Sequence, residues 1–157
     1  MGSFGRYFSK RDFNLVHSFN SELFSDLIQS LCVIYKLAPT ETSLNIYGEA
    51  SSQRGKVYYT GRTIECLVEF SDSTTNYDDF GPDKRKTVNF RFVERFMQQL
   101  NIYPETGDII QWDNQYFEVT NNVQEQYVGG QQDKQMAIIC ETFLVRLSNL
   151  NIVDVGI

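Results

Sequence analysis

Histidine is scarce in this chain, which excludes most side-chain chemistry that relies on an imidazole. Among 157 residues the one histidine is His17, in a polar stretch. Catalytic dyads and triads pair an imidazole with a thiol or hydroxyl, and zinc sites combine several nitrogen and sulfur ligands. We therefore expect a surface or capping role for His17. No Gly-x-x-x-x-Gly-Lys-Ser/Thr or Gly-x-Gly-x-x-Gly segment supports nucleotide binding.

Acidic residues offer further candidates for chemistry. Oxygen-bearing side chains at Asp72, Thr74, Asn76 and Asp78, followed by Asp83, are spaced as in a calcium loop. The glycine and the bidentate glutamate that complete such a loop are missing. An enzyme that uses the acidic residues of this segment stays an alternative. We predict that the protein is not an enzyme and has no catalytic residue, cofactor or metal.

Charged residues on two predicted strands have a structural explanation. Glu65 and Glu69 share the polar face of one strand, and Arg91 lies on the next. Opposite charges on neighbouring strands stabilise a sheet. We therefore predict that these carboxylates pair with Arg91 and do not act as a general acid and base.

An aromatic group near the end of the chain could stack on nucleobases. Trp112, Tyr116 and Phe117 would suit an OB-like module that binds single-stranded nucleic acid, but such modules combine stacking with a positive groove. These aromatics have acidic neighbours and no flanking lysine or arginine, so packing in a core is favoured. The three cysteines, Cys32, Cys66 and Cys140, lie in apolar runs without a Cys-x-x-Cys spacing. They are predicted to be buried, reduced thiols.

The negative charge of the chain is concentrated in its last third. Residues 1–103 hold 12 basic and 12 acidic side chains, whereas residues 104–157 hold 2 and 8, so the net charge of −6 arises there. Such a surface repels phosphates, which disfavours a conventional DNA-binding protein. No apolar run approaches the roughly 18 residues of a membrane span. We expect a soluble protein, made inside the cell, without a membrane partner.

The spacing of apolar residues predicts the helices. Ser21–Leu37 has the three- and four-residue spacing of an amphipathic helix, and Pro39 follows it. Residues 1–18 show no sustained period and are predicted to be an N-terminal arm that needs a partner surface. Residues 19–157 would then form a single β-rich domain. A short helix is predicted at Val93–Leu100.

Alternation of apolar and polar residues predicts the strands. Ile64–Phe70 and Val88–Phe92 alternate with period two and flank a long polar loop, Ser71–Arg85, so together they predict an extended hairpin with a protruding tip. Phe90 and Phe92 are predicted to point into the core.

The last third is also predicted to be β-structure. Asp108–Trp112 and Tyr116–Val119 predict a tight hairpin across residues 113–115, residues 121–136 a loop, and Ala137–Leu147 a central strand. The predicted fold class is α+β, mainly an antiparallel β barrel or sandwich, with an N-terminal helix packed on it and one short helix.

Three segments carry a family resemblance. Asn45–Ala50 reads Asn-Ile-Tyr-Gly-Glu-Ala and follows Ile34-Tyr35-Lys36-Leu37; Tyr103–Trp112 reads Tyr-Pro-Glu-Thr-Gly-Asp-Ile-Ile-Gln-Trp; Tyr116–Val123 begins Tyr-Phe-Glu-Val. In this order they resemble the N-[IL]-Y-G-E, Y-P-x-x-G-D-[IL]-I-x-[WF] and [YLF]-[YF]-E-[VI] segments of neck proteins of contractile-tailed bacteriophages. These are the head-to-tail connector, or head-completion, proteins. The resemblance covers most of residues 28–150.

The resemblance implies a virion structural protein. Six copies would form a ring in the neck, between portal-side connector proteins and the tail terminator. The ring would complete the DNA-filled head and dock the tail, and DNA would pass through it without sequence recognition. The protein would be made in the host cytoplasm. A tail-terminator or baseplate ring protein is the alternative within the virion.

The expected partner-binding residues are aromatic or apolar side chains in segments with no periodic reason to be buried. They lie in the arm, in the Ser71–Arg85 loop and in the 121–136 loop. These residues are Phe4, Tyr7, Phe8, Phe13, Tyr77, Phe80, Tyr127 and Val128.

Overall fold

A computed structural model describes residues 9–38, 56–78, 81–126 and 135–145, with the backbone alone for 71–78 and 81–85. Helices lie near the N-terminus and before the last three strands. In chain order the elements are α1 (Lys10–Glu22), a π-helix (Leu23–Ile28), β1 (Leu31–Tyr35), β2 (Arg62–Glu65), β3 (Leu67–Asp78), β4 (Gly81–Val93), α2 (Glu94–Leu100), β5 (Ile109–Trp112), β6 (Gln115–Gln126) and β7 (Gln135–Val145).

The strands form one antiparallel sheet in the order β2-β1-β5-β6-β7-β4-β3. β2 and β3 lie at opposite ends of this order, although Cys66 alone separates them in sequence. Because one continuous segment supplies both edges, the sheet curls back on itself into a sandwich-like arrangement. β2 and β3 do not pair with each other in the described ladders, so the sheet is not a closed barrel. The α+β class and the sandwich are confirmed, and the closed-barrel alternative is wrong.

The core lies inside the curl of the sheet. Phe90 and Phe92 on β4 are fully buried, as the period-two pattern predicts, and Val88 joins them on the same face. β7 lies between β6 and β4, so the predicted central strand is confirmed. Met97 of α2 closes one part of this core. The buried cluster comprises Cys32, Ile34, Ile64, Cys66, Val88, Phe90, Phe92, Met97, Ile102, Ile110, Phe117, Val119, Ile138 and Cys140.

The first helix begins and ends earlier than the sequence predicted. A helix over Ser21–Leu37 is wrong, because α1 begins at Lys10 after a capping box between Ser9 and Asp12. The Ser9 Oγ accepts from the Asp12 backbone N–H at 3.3 Å, and Asp12 Oδ2 accepts from the Ser9 N–H at 3.0 Å. Residues 10–18, assigned to the arm, are thus helical. The division into an arm and a domain stays a prediction.

The helical segment ends where Gln29 adopts a left-handed conformation with φ 49°. Its backbone N–H donates to the Phe24 carbonyl, five residues back, at 3.0 Å. Leu31–Tyr35 then extends as β1 and pairs with β2 and β5. The apolar spacing of this segment is compatible with a helix or with a strand. It is a strand because it pairs with a neighbouring strand on each side.

Two predicted loops are strands. Ser71–Arg85 continues β3 and β4 through a bulge between Phe70 and Ser73, so the extended hairpin is confirmed and the long loop is wrong. Within residues 121–136, β6 runs to Gln126 and β7 begins at Gln135, while residues 127–134 lie outside the described part. In both cases pairing with a neighbouring strand overrides the polar composition.

The tight hairpin predicted across residues 113–115 is confirmed, but its turn is one residue shorter, because Gln115 already belongs to β6. Asp113 and Asn114 both have positive φ, 49° and 57°, and connect β5 to β6 as a two-residue turn. Aspartate and asparagine tolerate this conformation better than other non-glycine residues. The predicted short helix is confirmed as α2, Glu94–Leu100.

Candidate functional site

One buried carboxylate organises the segment Tyr103–Trp112, which carries part of the resemblance. Asp108 is 1% exposed and lies just before β5. Its Oδ1 accepts a hydrogen bond from the Leu37 backbone N–H at 2.9 Å, and its Oδ2 accepts one from the Glu105 N–H at 2.7 Å. Asp108 therefore connects the chain after β1 to the turn that leads into β5.

Lys36 supplies the positive charge at this point. Its Nζ lies 2.8 Å from Asp108 Oδ2 and 2.8 Å from Glu105 Oε2, and it donates to the Tyr103 carbonyl at 2.7 Å. Burial lowers the pKa of the Lys36 ammonium, but the hydrogen bonds to Asp108 and Glu105 outweigh burial, so its pKa lies above the ordinary value of 10.5. We call Lys36, Glu105 and Asp108 the Lys36 cluster.

The same turn joins two of the three segments of the resemblance to each other, while the third, Asn45–Ala50, lies outside the described residues. Gly107 has φ +96°, where any side chain would be strained, and its N–H donates to the Val119 carbonyl at 2.8 Å. The Val119 N–H in turn donates to the Asp108 carbonyl at 2.9 Å. The Asn122 side chain donates to the Pro104 carbonyl at 2.7 Å. Residues 103–112 and 116–123 therefore form one unit, which the Lys36 cluster connects to β1.

The predicted aromatic group divides between the core and its edge. Phe117 is fully buried, whereas Trp112 and Tyr116 are half-buried. Trp112 Nε1 donates to Ser30 Oγ at 3.3 Å, which satisfies its polar atom. Core packing is thus confirmed for Phe117.

A lysine lies beside these aromatic side chains, and the sequence spacing did not indicate this contact. Lys86 Nζ lies 5.2 Å from the Phe70 ring centroid and 5.8 Å from that of Phe117, within cation–π range. Phe70 is 63% exposed, and its ring meets that of Trp112 at 5.6 Å. Lys86 is 26 residues before Trp112 in the sequence. Pairing of β3 with β4 brings Lys86 to Phe70, and the curl of the sheet brings both to Trp112 and Phe117.

The candidate acid–base residues are engaged in separate contacts. Arg91 lies 3.5 Å from Glu69 and 3.2 Å from Glu125, so the pairing predicted for Glu69 is confirmed. Glu65 instead accepts from Ser25 Oγ at 3.0 Å, so its predicted pairing with Arg91 is wrong. His17 lies on α1 with its ring 5.7 Å from that of Phe13.

The calcium-like spacing falls on strands. Asp72–Asp78 lies in β3 and Asp83 in β4, so the backbone there is extended and does not form a calcium loop. Elsewhere in the described residues, no group of three or more histidine, cysteine or acidic side chains is placed to hold a metal ion.

All three cysteines are free and buried, as predicted. Burial raises the pKa of the Cys140 thiol to about 12. A hydrogen bond to Cys66, together with burial, raises the pKa of the Cys32 thiol well above its ordinary value. Since the thiolate is the reactive form of cysteine, Cys32 and Cys140 are protected twice, by exclusion of reagents and by protonation. Hydrogen bonds to Cys32 and Ser30 lower the pKa of the Cys66 thiol, so burial alone protects this residue.

We therefore expect no rapid thiol labelling of the native protein. With Ellman's reagent near neutral pH, the folded chain should release no thionitrobenzoate in a fast phase, and the chain in denaturant should release three equivalents, one for each cysteine. Absorbance at the two conditions gives the count. A fast equivalent from the folded protein would show that at least one of these thiols is accessible.

Most of the predicted partner-binding residues lie outside the described part of the chain. These are Phe4, Tyr7, Phe8, Phe80, Tyr127 and Val128. Tyr77 belongs to β3, where only the backbone is described. Phe13 lies in α1 and is half-buried. The interface role of all eight residues stays a prediction.

The described residues contain an exposed apolar surface that the sequence analysis missed. Leu15 and Phe19 on α1 are 66% and 63% exposed, and Leu27 on the π-helix is 76% exposed. Leu15 and Phe19 are four residues apart and share one helix face. In a regular α-helix, Leu27 would be rotated by about 80° from Phe19. The wider π-turn rotates less per residue and reduces this offset. We call these three residues the helix stripe.

A second apolar surface lies on the outer face of the sheet. On β7, Cys140 and Thr142 are buried, so Ile139, Glu141 and Phe143 point outward. Val123 of β6 pairs with Ile139 and is 47% exposed, while Phe143 is 39% exposed. We call Val123, Glu141 and Phe143 the sheet patch.

A comparison with solved structures includes a weak structural likeness. No protein-family model and no curated protein matches the chain. The phage-like element PBSX protein xkdH from Bacillus subtilis resembles it with a TM-score of 0.36 and 16% identity, over 77% of this chain and 96% of that chain. A TM-score this low carries no argument for fold or function. Within the described ranges, no helix is long and apolar enough to span a membrane.

Proposed function

We propose that this chain is a virion structural protein of the bacteriophage neck, where it forms a ring that completes the DNA-filled head and docks the tail. The proposal rests on the way in which two segments of the resemblance are joined in the structure. Residues 103–112 and 116–123 form one unit, and the Lys36 cluster connects that unit to β1. The residues of the resemblance thus share one structural role in this chain, which is to fix the β5–β6 hairpin against β1.

Burial of Asp108 gives the matched residues a physical role. A carboxylate that is 1% exposed, with two backbone donors and one ammonium, fixes the turn before β5 in a single geometry. Gly107 is required at the same turn by its positive φ. The Gly-Asp pair of the resemblance is therefore explained as the anchor of the domain, and the surfaces that bind partners lie elsewhere.

Exposed apolar surfaces favour an assembly role for the chain. The helix stripe and the sheet patch each present large apolar side chains to solvent, and contiguous patches of this kind mark interaction sites. A ring subunit needs two unlike surfaces, because a head-to-tail contact closes a cycle only when different faces meet. Portal-side connector proteins and the tail terminator would contact the two ends of a ring of six.

The acidic last third of the chain fits passage of DNA. With 2 basic and 8 acidic residues beyond position 103, this part offers phosphates few counter-charges. DNA would slide through the ring without sequence recognition. The protein would be made in the host cytoplasm and found in the virion.

Interrupting the reading frame in the genome that encodes the chain tests this function. We expect DNA-filled heads and complete but unjoined tails, because neither part needs the neck ring in order to form. Adding the purified protein to such an extract should join heads to tails, as counted by electron microscopy. Tails of abnormal length or without a baseplate would instead identify a tail-terminator or baseplate ring protein, and normal particles would overturn the virion role.

A single-strand-binding module is the second candidate, favoured by one observation. Lys86 lies against the exposed ring of Phe70 beside Trp112, an arrangement in which a cation and aromatics could hold a stacked base. Fluorescence titration of Trp112 with an oligonucleotide tests it. Salt-dependent quenching that Phe70→Ala abolishes would support this function, and an unchanged spectrum would exclude it.

A further inference from the structure

The helix stripe has charged neighbours of opposite sign at its two ends. Lys10 and Arg11, both exposed, begin α1, whereas Glu22 ends it and Asp26 lies in the π-helix. Neither Lys10 nor Arg11 forms a salt bridge with another described residue. The stripe therefore has a basic end that is available for an acidic surface.

The sheet patch is such a surface. Glu141 is exposed and pairs in register with Asn89, which in turn pairs with Glu69, so both carboxylates lie in one row on the outer face. Arg91 is the cation nearest this row, and it is occupied by Glu69 and Glu125. One arginine cannot neutralise the three carboxylates Glu69, Glu125 and Glu141, so the outer face keeps a net negative charge around its exposed apolar residues.

The apolar residues of the two surfaces also have similar spacing. Phe19 and Leu27 are eight residues apart, about 12 Å along a helix axis. Ile139, the partner of Val123, and Phe143 are four residues apart, about 13 Å along a strand. Two apolar anchors on the helix can therefore meet two on the sheet at once.

From these observations we propose that the helix stripe of one copy packs on the sheet patch of the next copy. Charge complementarity selects the occupant: the basic turn at Lys10 and Arg11 meets the acidic row at Glu69 and Glu141. Because both surfaces belong to this chain and are unlike, the contact is head-to-tail and propagates around a ring. This inference rests on the proposed function for the ring, and its test uses the purified full-length chain, so the two can fail separately.

Two double variants and a mixture of them test the contact by sedimentation velocity. The helix variant carries Leu15→Ser and Phe19→Ser, and the sheet variant carries Val123→Lys and Phe143→Lys. The wild type should assemble, and each variant alone should dissociate at least about tenfold more readily, as for truncated interface anchors. Leu100→Ser is the matched control, because Leu100 is a 37% exposed side chain on α2 outside both surfaces. It should assemble as the wild type does.

The mixture separates a head-to-tail contact from every symmetric one. The sheet variant keeps its helix stripe and the helix variant keeps its sheet patch, so an equimolar mixture should form dimers and nothing larger. A mixture that remains monomeric overturns the proposal, and so does a sheet variant that assembles alone, because its intact helix stripes would then be pairing with each other. A wild-type chain that is monomeric at every soluble concentration also overturns it, whereas the particle experiment above would still decide the neck function.

Charge reversal provides a second test of the contact, and it leaves the apolar residues unchanged. Lys10→Glu with Arg11→Glu should weaken assembly at low salt, and acidic residues suit a helix N-terminus, so α1 should still form. Adding Glu69→Lys and Glu141→Lys should restore assembly, because the opposite charges then face each other again. Failure of this restoration in a folded chain, checked by circular dichroism, contradicts the assigned pairing of surfaces.

Discussion

Replacing Phe90 by alanine is expected to lower the free energy of unfolding by about 3–5 kcal/mol, the range for removing a large aromatic side chain from a core. Phe90 is fully buried in the middle of β4. Its ring lies 5.5 Å from that of Phe117, 6.4 Å from that of Phe92 and 6.4 Å from that of Trp112. The substitution therefore removes apolar burial and three aromatic contacts, and it leaves a cavity where both layers of the curled sheet meet.

Urea denaturation followed by tryptophan fluorescence measures this loss. Phe70→Ala is the matched control, because Phe70 is an aromatic residue on the adjacent strand but is 63% exposed. It should cost about 1 kcal/mol or less, as most surface substitutions do. Phe90→Leu, which conserves most of the volume, should cost less than about 1.5 kcal/mol. Equal losses for Phe90→Ala and Phe70→Ala would contradict the observed core.

Removing the carboxylate of Asp108 is expected to cost about 3–5 kcal/mol, as when one partner of a buried charge pair is deleted. Asp108→Ala leaves the backbone N–H groups of Leu37 and Glu105 without their acceptor, and Lys36 loses its buried partner. Glu105→Ala is an unusually close control. Both carboxylates lie 2.8 Å from the same Nζ, but the side chain of Glu105 is 75% exposed and that of Asp108 is 2% exposed.

The exposed pair should contribute about 0–1 kcal/mol, because water screens it. The same denaturation experiment on both variants therefore isolates burial as the cause of the difference. Similar losses for Asp108→Ala and Glu105→Ala would mean that the ion pair matters through charge alone. A small loss for Asp108→Ala would remove the anchor role on which the interpretation of the Gly-Asp pair depends.

Lys36 adds a dependence on pH to this prediction. Its pKa in the folded protein is raised above 10.5, so its contribution to stability is complete below that value and is lost as the pH rises through the folded-state pKa. We expect the stability difference between the wild type and Lys36→Met to shrink at alkaline pH and to be constant between neutral pH and about pH 9. A difference that shrinks on acidification to mildly acidic pH would contradict this assignment.

Local patterns in the sequence were sufficient to predict much of the fold. Alternation placed Phe90 and Phe92 in the core, apolar context identified buried thiols, and the short helix before β5 was recognised from its spacing. A tight hairpin across residues 113–115 was predicted from turn chemistry, and Asp113 and Asn114 form its turn. These features depend on contacts within a few residues or on the two-residue period of one strand, both of which a sequence displays directly.

Other features were decided by pairing across the sheet. Leu31–Tyr35 could form a helix or a strand, and it is a strand because β2 and β5 lie on either side of it. Ser71–Arg85 is polar enough for a loop, yet its two halves pair with each other. The π-helix and its end at Gln29 determine where the helical segment stops, and no period in the sequence indicates them.

Only the tertiary structure reveals the two candidate surfaces and the anchoring role of Asp108. Lys36 and Asp108 are 72 residues apart and meet because β1 pairs with β5. The helix stripe is apolar in sequence and would be expected in a core; only the packing of Phe24 inward leaves Leu15, Phe19 and Leu27 facing solvent. Sequence alone determined which residues favour burial and which favour a turn. Strand pairing and the packing of the sheet determined which charges meet and which apolar residues remain for a partner, because both depend on neighbours that are distant along the chain.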